Sequence, residues 1–134
     1  MLTKQISMFV ENKSGRVAHI IGLLAENSIN IRAITISETP DFGILRIITD
    51  DYEKTVQILN EDNAAFSVAE VLEIVLENRI GFFADILKRF YDNGINVEYF
   101  YASMGLGMEE SLLMIKVDNP EEAARLLAEF GAKG

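Results

Sequence analysis

Val10–Ile31 reads VENKSGRVAHIIGLLAENSINI, and Leu76–Val97 reads LENRIGFFADILKRFYDNGINV. Glu11-Asn12, Gly15, Ile20, Asn27 and Ile29-Asn30 of the first stretch return as Glu77-Asn78, Gly81, Ile86, Asn93 and Ile95-Asn96 of the second, all at one offset of 66 residues. Self-similarity at a fixed spacing means two copies of one structural unit. The repeated part is a glycine-containing loop that opens a helix, where unsatisfied backbone amides can receive an anion.

Working outward, each copy reads strand, helix, strand, strand, helix. Residues 5–10 alternate, with Met8 and Val10 on one side and Ser7 and Phe9 on the other. Residues 16–26 place Val17, Ile20, Ile21 and Leu24 on one helical face. Residues 31–37 and 44–49 are strands around a turn holding Pro40, Asp41 and Gly43, and Asp50-Asp51 offers an N-cap to a helix striped by Tyr52, Val56 and Leu59. In the second copy, residues 71–76 are the first strand, and Phe83, Ile86, Leu87 and Phe90 form the helical face. Strands at 97–102 and 111–117 follow, separated by Gly105 and Gly107, and Asp118-Asn119-Pro120 starts a helix with Ala124, Leu127 and Phe130 inward.

Residues 65–69 are the expected fourth strand of the first copy, running almost directly into Val71. The boundary falls near Ala69–Glu70, giving domains at 1–69 and 70–134. After Phe130 only four residues remain, so the second copy lacks its own fourth strand, and its sheet is either one strand short or completed by another segment or chain. The order implies an α+β fold of two ferredoxin-like βαββαβ units, each an antiparallel sheet with helices on one face. The other face is apolar as well: Leu45 and Ile47 oppose Ile44 and Ile48, and Val97, Tyr99 and Tyr101 oppose Phe100 and Ala102. A partner sheet is the expected cover.

The chain has 134 residues, 49% of them hydrophobic, and a net charge of −9. Units of roughly 65 residues are marginal alone, which favours packing against one another or a second chain. The negative charge argues against nucleic acid or an anionic membrane surface, since both need clustered Lys and Arg. With no cysteine, there is neither a disulfide nor a thiolate metal site. Residues 1–10 are too short and too polar for a signal peptide, and the longest apolar helical run, 17–25, is far below the ~20 residues that span a bilayer. A cytoplasmic protein is expected.

Residues 6–50, through Val10-Glu11-Asn12-Lys13-Ser14-Gly15-Arg16-Val17 and Ser28-Ile29-Asn30-Ile31, resemble an ACT domain, and 72–117 resemble a second. That family comprises small regulatory modules that usually sense amino acids. The first copy is similar to the regulatory subunit of acetolactate synthase, although a second ACT copy stands here in place of that subunit's other half. Ser14 and Ile80 occupy positions where the family often has Pro. The resemblance implies a non-catalytic protein without cofactor or metal, a homodimer that binds an amino acid between ACT units and alters the state of a metabolic enzyme.

The physical argument for the site follows the ligand's parts. Its carboxylate needs donors, which the helix starts at Gly15 and Gly81 present. Its ammonium needs acceptors: the Asn12 and Asn78 side chains, or the carbonyls near Asn30-Ile31 and Asn96-Val97. Its side chain rests on Val17, or on Phe82-Phe83. Lys13, Ser14 and Arg16 in one loop, and Arg79 and Ile80 in the other, complete the candidate set. The plainer reading assigns the glycines to a tight turn and the asparagines to capping and register. A scaffold that only dimerises or docks on an enzyme is the alternative function.

Other chemistries fit poorly. His19 is the only histidine and stands beside the apolar stripe, which leaves no nucleophile–base set and no metal cluster. Glu109-Glu110 and Glu121-Glu122 read as solvated faces. Arg16 and Arg79 lie near the loops, but no phosphate cradle surrounds them, and the central strands lack the aromatics that stack RNA bases.

Overall fold

The computed structural model describes residues 1–11, 15–38, 40–77, 79–104 and 110–131. The elements are β1 (Leu2–Glu11), α1 (Arg16–Glu26), β2 (Ile31–Glu38), β3 (Phe42–Thr49), α2 (Tyr52–Glu61), β4 (Phe66–Glu77), α3 (Phe82–Asp92), β5 (Val97–Met104), β6 (Glu110–Val117) and α4 (Pro120–Phe130). The fold is α+β, with antiparallel strands and four helices. The turn read at Gly105 and Gly107 lies outside the described residues.

The chain divides into two compact units, Lys4–Ala69 and Met1–Thr3 joined by Glu70–Gly134. In the first, the strand order is β2-β3-β1-β4. Ile6 pairs with Ile47 and Met8 with Leu45, which puts all four on one face. There they meet Ile20 and Leu24 of α1 and Ile58 and Leu59 of α2 in one buried cluster. On the opposite face Phe9 is 67% exposed and touches the Phe42 ring edge-on, 5.3 Å between centroids.

In the second unit, β4 pairs with β6 and β6 with β5. Leu72, Ile74, Leu113 and Ile115 pack on Ile86 and Phe90 of α3 and on Ala123, Leu126 and Leu127 of α4. The question of its fourth strand is answered by the amino terminus. The Glu73 N–H donates to the Met1 carbonyl at 2.8 Å, and the Met1 amine lies 3.5 Å from the Glu73 carbonyl. Leu2 packs against the second unit's core. The first residues of β1 therefore serve the second unit, and the later ones serve the first.

Two expectations are corrected. The strands read separately at 65–69 and 71–76 are one unbroken strand of 12 residues, since nothing between them breaks the extended backbone. On α4 the buried residues are Ala123, Leu126 and Leu127, so the stripe is turned from the one expected. Ala124 and Phe130 pack at its margin, where the Phe130 ring stacks on Phe82 at 6.2 Å beneath the Arg89 guanidinium. On α2, Thr55 is buried where sequence periodicity points to apolar side chains only. Its hydroxyl is satisfied by Thr49 Oγ1 at 2.8 Å and the Asp51 carbonyl at 2.7 Å.

Candidate functional site

In each unit the chain turns from strand to helix through a glycine in the left-handed region, Gly15 at φ 93° and Gly81 at φ 86°. A Cβ at either position would meet nothing within 4 Å. Backbone conformation, not crowding, is what demands glycine here. The Gly15 carbonyl accepts the His19 N–H, and the Gly81 carbonyl accepts the Asp85 N–H, each at 2.9 Å. Glycine offers no side chain to cap the helix amides that follow. At α2 and α4 the opposite holds: Asp51 accepts the Lys54 N–H at 3.1 Å and Asn119 accepts the Glu122 N–H at 3.3 Å. The start of α1 carries no side-chain cap, the arrangement that suits an outside anion, whereas at α3 the Phe82 N–H already donates to the Arg79 carbonyl at 3.3 Å.

Beside the Gly15 turn lies a cleft of about 90 Å³ lined by Val10, Glu11, Val17, Ile36, Glu38, Phe42 and Gly43. The hairpin register assembles it. Gly43 lies between Val10 on β1 and Glu38 on β2, and Phe42 lies opposite Glu11. A Cβ on Gly43 would stand 3.3 Å from the Ser37 carbonyl oxygen, 3.4 Å from Val10 Cγ2 and 3.5 Å from Ile36 Cδ1, so close strand packing favours glycine there, and its missing side chain leaves the floor open. Of the candidate residues in this loop, Val17 lines the cleft, and Gly15 and Arg16 precede it in the chain. Asn12, Lys13 and Ser14, like Asn78 in the second loop, lie outside the described residues. The cleft walls Ile36, Glu38, Phe42 and Gly43 were missed by sequence reasoning. The signal for them is the pairing of one hairpin with the first strand, not a local motif.

Asn30 and Ile31 are not brought to that corner. Ile31 pairs with Thr49 at the far end of β2 from Glu38, separated from the Gly15 turn by the length of α1, about 16 Å. There Asn30 is held structurally. Its N–H donates to Asp50 Oδ1 at 3.1 Å and its carbonyl accepts the Asp50 N–H at 3.0 Å. Asn96 and Asp118 repeat this clip at 3.0 and 3.1 Å, with Val97 next on β5. Asn27 and Asn93 close their helices by donating side-chain N–H to the Leu23 and Arg89 carbonyls, both at 2.8 Å.

The second unit's turn is chemically different. Arg79 Nε sits 3.1 Å from Glu77 Oε2, and its guanidinium lies over the Phe82 ring. Phe82 is buried in the core, Phe83 is half-buried, and Ile80 is fully exposed. The Phe83 ring meets Phe100 edge-on at 5.1 Å.

Elsewhere, His19 Nε2 contacts Asp62 Oδ1 at 3.0 Å on the outside of the first unit. On α4, Arg125 binds Glu122 and Glu129. The Arg125 hydrogen bond holds the Glu122 carboxyl below its ordinary range, and that partner raises Arg125 in turn. Among the described residues, no cluster of acidic or histidine side chains is placed to hold a metal, and no helix is long and apolar enough to cross a membrane.

A tandem of strand-sharing α+β units, each turning into its first helix through a left-handed glycine, is the class that this geometry defines. Residues 1–130 match the family model described as an ACT domain pair, and the chain belongs to that family. It is similar to protein BT0572 from Bacteroides thetaiotaomicron, at 32% identity and a TM-score of 0.91, covering 99% of this chain and 91% of that one. It also shares its fold with the ligand-free regulatory subunit of aspartate kinase from Thermus thermophilus (16% identity, TM-score 0.65, 94% of this chain and 91% of that one). The corresponding subunit from Thermus flavus is a further fold neighbour (17%, 0.60, 96% and 94%). No curated protein sequence matches the chain.

Proposed function

We propose that this protein is a non-catalytic regulator that binds an amino acid at the Gly15 corner and alters the state of a metabolic enzyme. Residues 1–69 and 70–134 are then its two ACT units. The observation that carries the reading is the cleft itself: apolar walls from Val10, Val17, Ile36 and Phe42, carboxylates from Glu11 and Glu38, and helix amides beginning at Arg16. An amino acid presents complementary parts in that order, a side chain, an ammonium and a carboxylate. Family membership and a fold shared with regulatory subunits of aspartate kinase support a regulatory role. The resemblance of the first copy to the acetolactate synthase regulatory subunit agrees in kind, without naming the enzyme.

The proposal includes a homodimer. β2 is the outer strand of the first unit, and on its helix-side face Ile34 and Ile36 are 47% and 50% exposed. An outer strand with apolar side chains invites pairing with a second copy. Antiparallel pairing of two β2 strands about a two-fold axis sets the Glu38 end of one beside the Asn30 end of the other. Asn30 and Ile31 then approach the Gly15 corner from the partner, which reconciles their distance from it within one chain. Thermal shift and isothermal titration against the twenty amino acids test the reading, with sedimentation to follow the dimer. A millimolar or tighter response to at least one amino acid is expected; silence toward all twenty refutes the reading.

A further inference from the structure

Asn27-Ser28 and Asn93-Gly94 hold the same place in the two copies, one after α1 and the other after α3. They differ in the residue that follows the asparagine. We propose that Asn93 is a site of spontaneous deamidation, gated by opening of the last turn of α3, and that the product leaves that turn loosened. This reactivity does not depend on ligand binding in the first unit.

The chemistry needs only solvent. With its proton lost to base, the Gly94 backbone nitrogen attacks Cγ of the Asn93 side chain. A nitrogen–carbon bond forms, the Cγ–Nδ2 bond breaks, and ammonia leaves behind a five-membered succinimide. Water then opens the ring. Cleavage at Cγ gives aspartate; cleavage at the backbone carbonyl gives isoaspartate, in which the chain runs through the side-chain carbon. Nothing is oxidised or reduced, and the sum is amide plus water giving carboxylate plus ammonium. A side chain on the following residue crowds the attacking nitrogen, so glycine permits the fastest closure. Asn93-Gly94 is the only Asn-Gly pair in the chain.

The folded turn holds the reacting atoms apart. Ring closure requires Cβ of Asn93 to lie nearly in plane with the Gly94 nitrogen. At ψ 14° the Asn93 nitrogen takes that place, and Cβ, on another tetrahedral bond, stands away from it. The leaving amide is engaged, since Nδ2 donates to the Arg89 carbonyl at 2.8 Å. The attacking nitrogen is tied as well, its N–H donating to the Tyr91 carbonyl at 3.2 Å. Reaction therefore waits for both bonds to break and ψ to turn. That opening is local. Asn93 and Gly94 are exposed at a helix end, where fraying costs little, and a groove of about 360 Å³ beside Asn93 admits water.

The first copy serves as a built-in comparison. Asn27 has ψ 15° and its Nδ2 donates to the Leu23 carbonyl at 2.8 Å, but Ser28 at φ 60° supplies the side chain that Gly94 lacks. Once formed, the product cannot restore the turn. A carboxylate has no N–H for the Arg89 carbonyl, and its charge meets the negative end of the helix dipole. Isoaspartate also lengthens the backbone just before Ile95, which is buried in the second unit's core and donates to the Phe90 carbonyl at 2.9 Å.

Peptide mapping with isoaspartyl-methyltransferase labelling tests this on the full chain aged in warm, mildly alkaline buffer, beside a peptide of residues 89–97. Aspartate and isoaspartate should appear at residue 93, more slowly than in the peptide by a factor of up to about 1,000, and faster in urea below the unfolding transition. Asn27 should keep its amide. Gly94→Ser should silence Asn93, and Ser28→Gly should make Asn27 reactive. The second variant reports the same dependence should Gly94→Ser fail to fold. Asn93→Asp should speed hydrogen exchange at the Ile95 amide. A conversion slower still overturns the proposal, because the fold then closes the site. A rate equal to the peptide's removes the gate. Asn27 reacting as fast as Asn93, or staying inert in Ser28→Gly, refutes the role of Gly94. Unchanged Ile95 exchange in Asn93→Asp refutes the loosening.

Discussion

At the scale of single residues, the repeat separates backbone demands from chemistry. Gly15 and Gly81 are fixed by a positive φ in otherwise open space, so Gly15→Ala and Gly81→Ala should each cost about 1–2 kcal/mol through left-handed strain. Urea melts of the two variants would measure it. The converse substitution is available where one copy lacks the glycine of the other. Ser28 stands at φ 60° at the end of α1, where the second copy places Gly94 at φ 72°. Ser28→Gly should raise stability by up to about 1 kcal/mol, read from the same melts. Asp50 and Asp118 illustrate what the sequence showed only in part. Both were legible as residues near a helix start. Their use, accepting the Asn30 and Asn96 amides from across the unit, depends on which strand ends the fold brings together. A residue's neighbours in space are set by register, which one chain's linear pattern encodes weakly.

Among elements, the helices were the most readable part. The spacing predicts α1 over 16–26, and the helix occupies Arg16–Glu26, because a left-handed glycine and a capping asparagine bound it. The strands were less readable at their ends. β4 extends as one run because no glycine or proline interrupts Phe66–Glu77, although the alternation changes phase at Glu70. The cleft escaped for the same reason, since Ile36, Glu38 and Gly43 belong to a hairpin far from the glycine loop in sequence. On α4, the Arg125 bridge to Glu122 and Glu129 makes a pH-dependent prediction. Glu122 is held below its ordinary range, so the bridge is fully formed above the usual carboxylate value and is lost as pH falls through the lowered one. In Arg125→Ala the Glu122 titration should move back up, as followed by NMR. The effect on stability should be small, because the pair is solvent-exposed.

Across the whole molecule, the two units are bound into one chain by strands that each serve twice. Leu2 is partly buried against the core that α3 and α4 cover, so Leu2→Asp should destabilise the second unit by roughly 1–2 kcal/mol. Hydrogen exchange should show it first at the Glu73 amide, which donates to Met1. Exchange unchanged there would contradict the assignment of the first strand. The same feature bears on biosynthesis. Met1 and Glu73 are partners across 72 positions of sequence, and most of what their unit needs comes later still. At about 5–20 residues per second, the Met1–Thr3 segment stays unpaired for seconds before its sheet exists. A nascent chain stalled before the last helix should therefore leave the Met1–Thr3 segment without its sheet and open to proteolysis, while the unit made from Lys4–Ala69 is already complete.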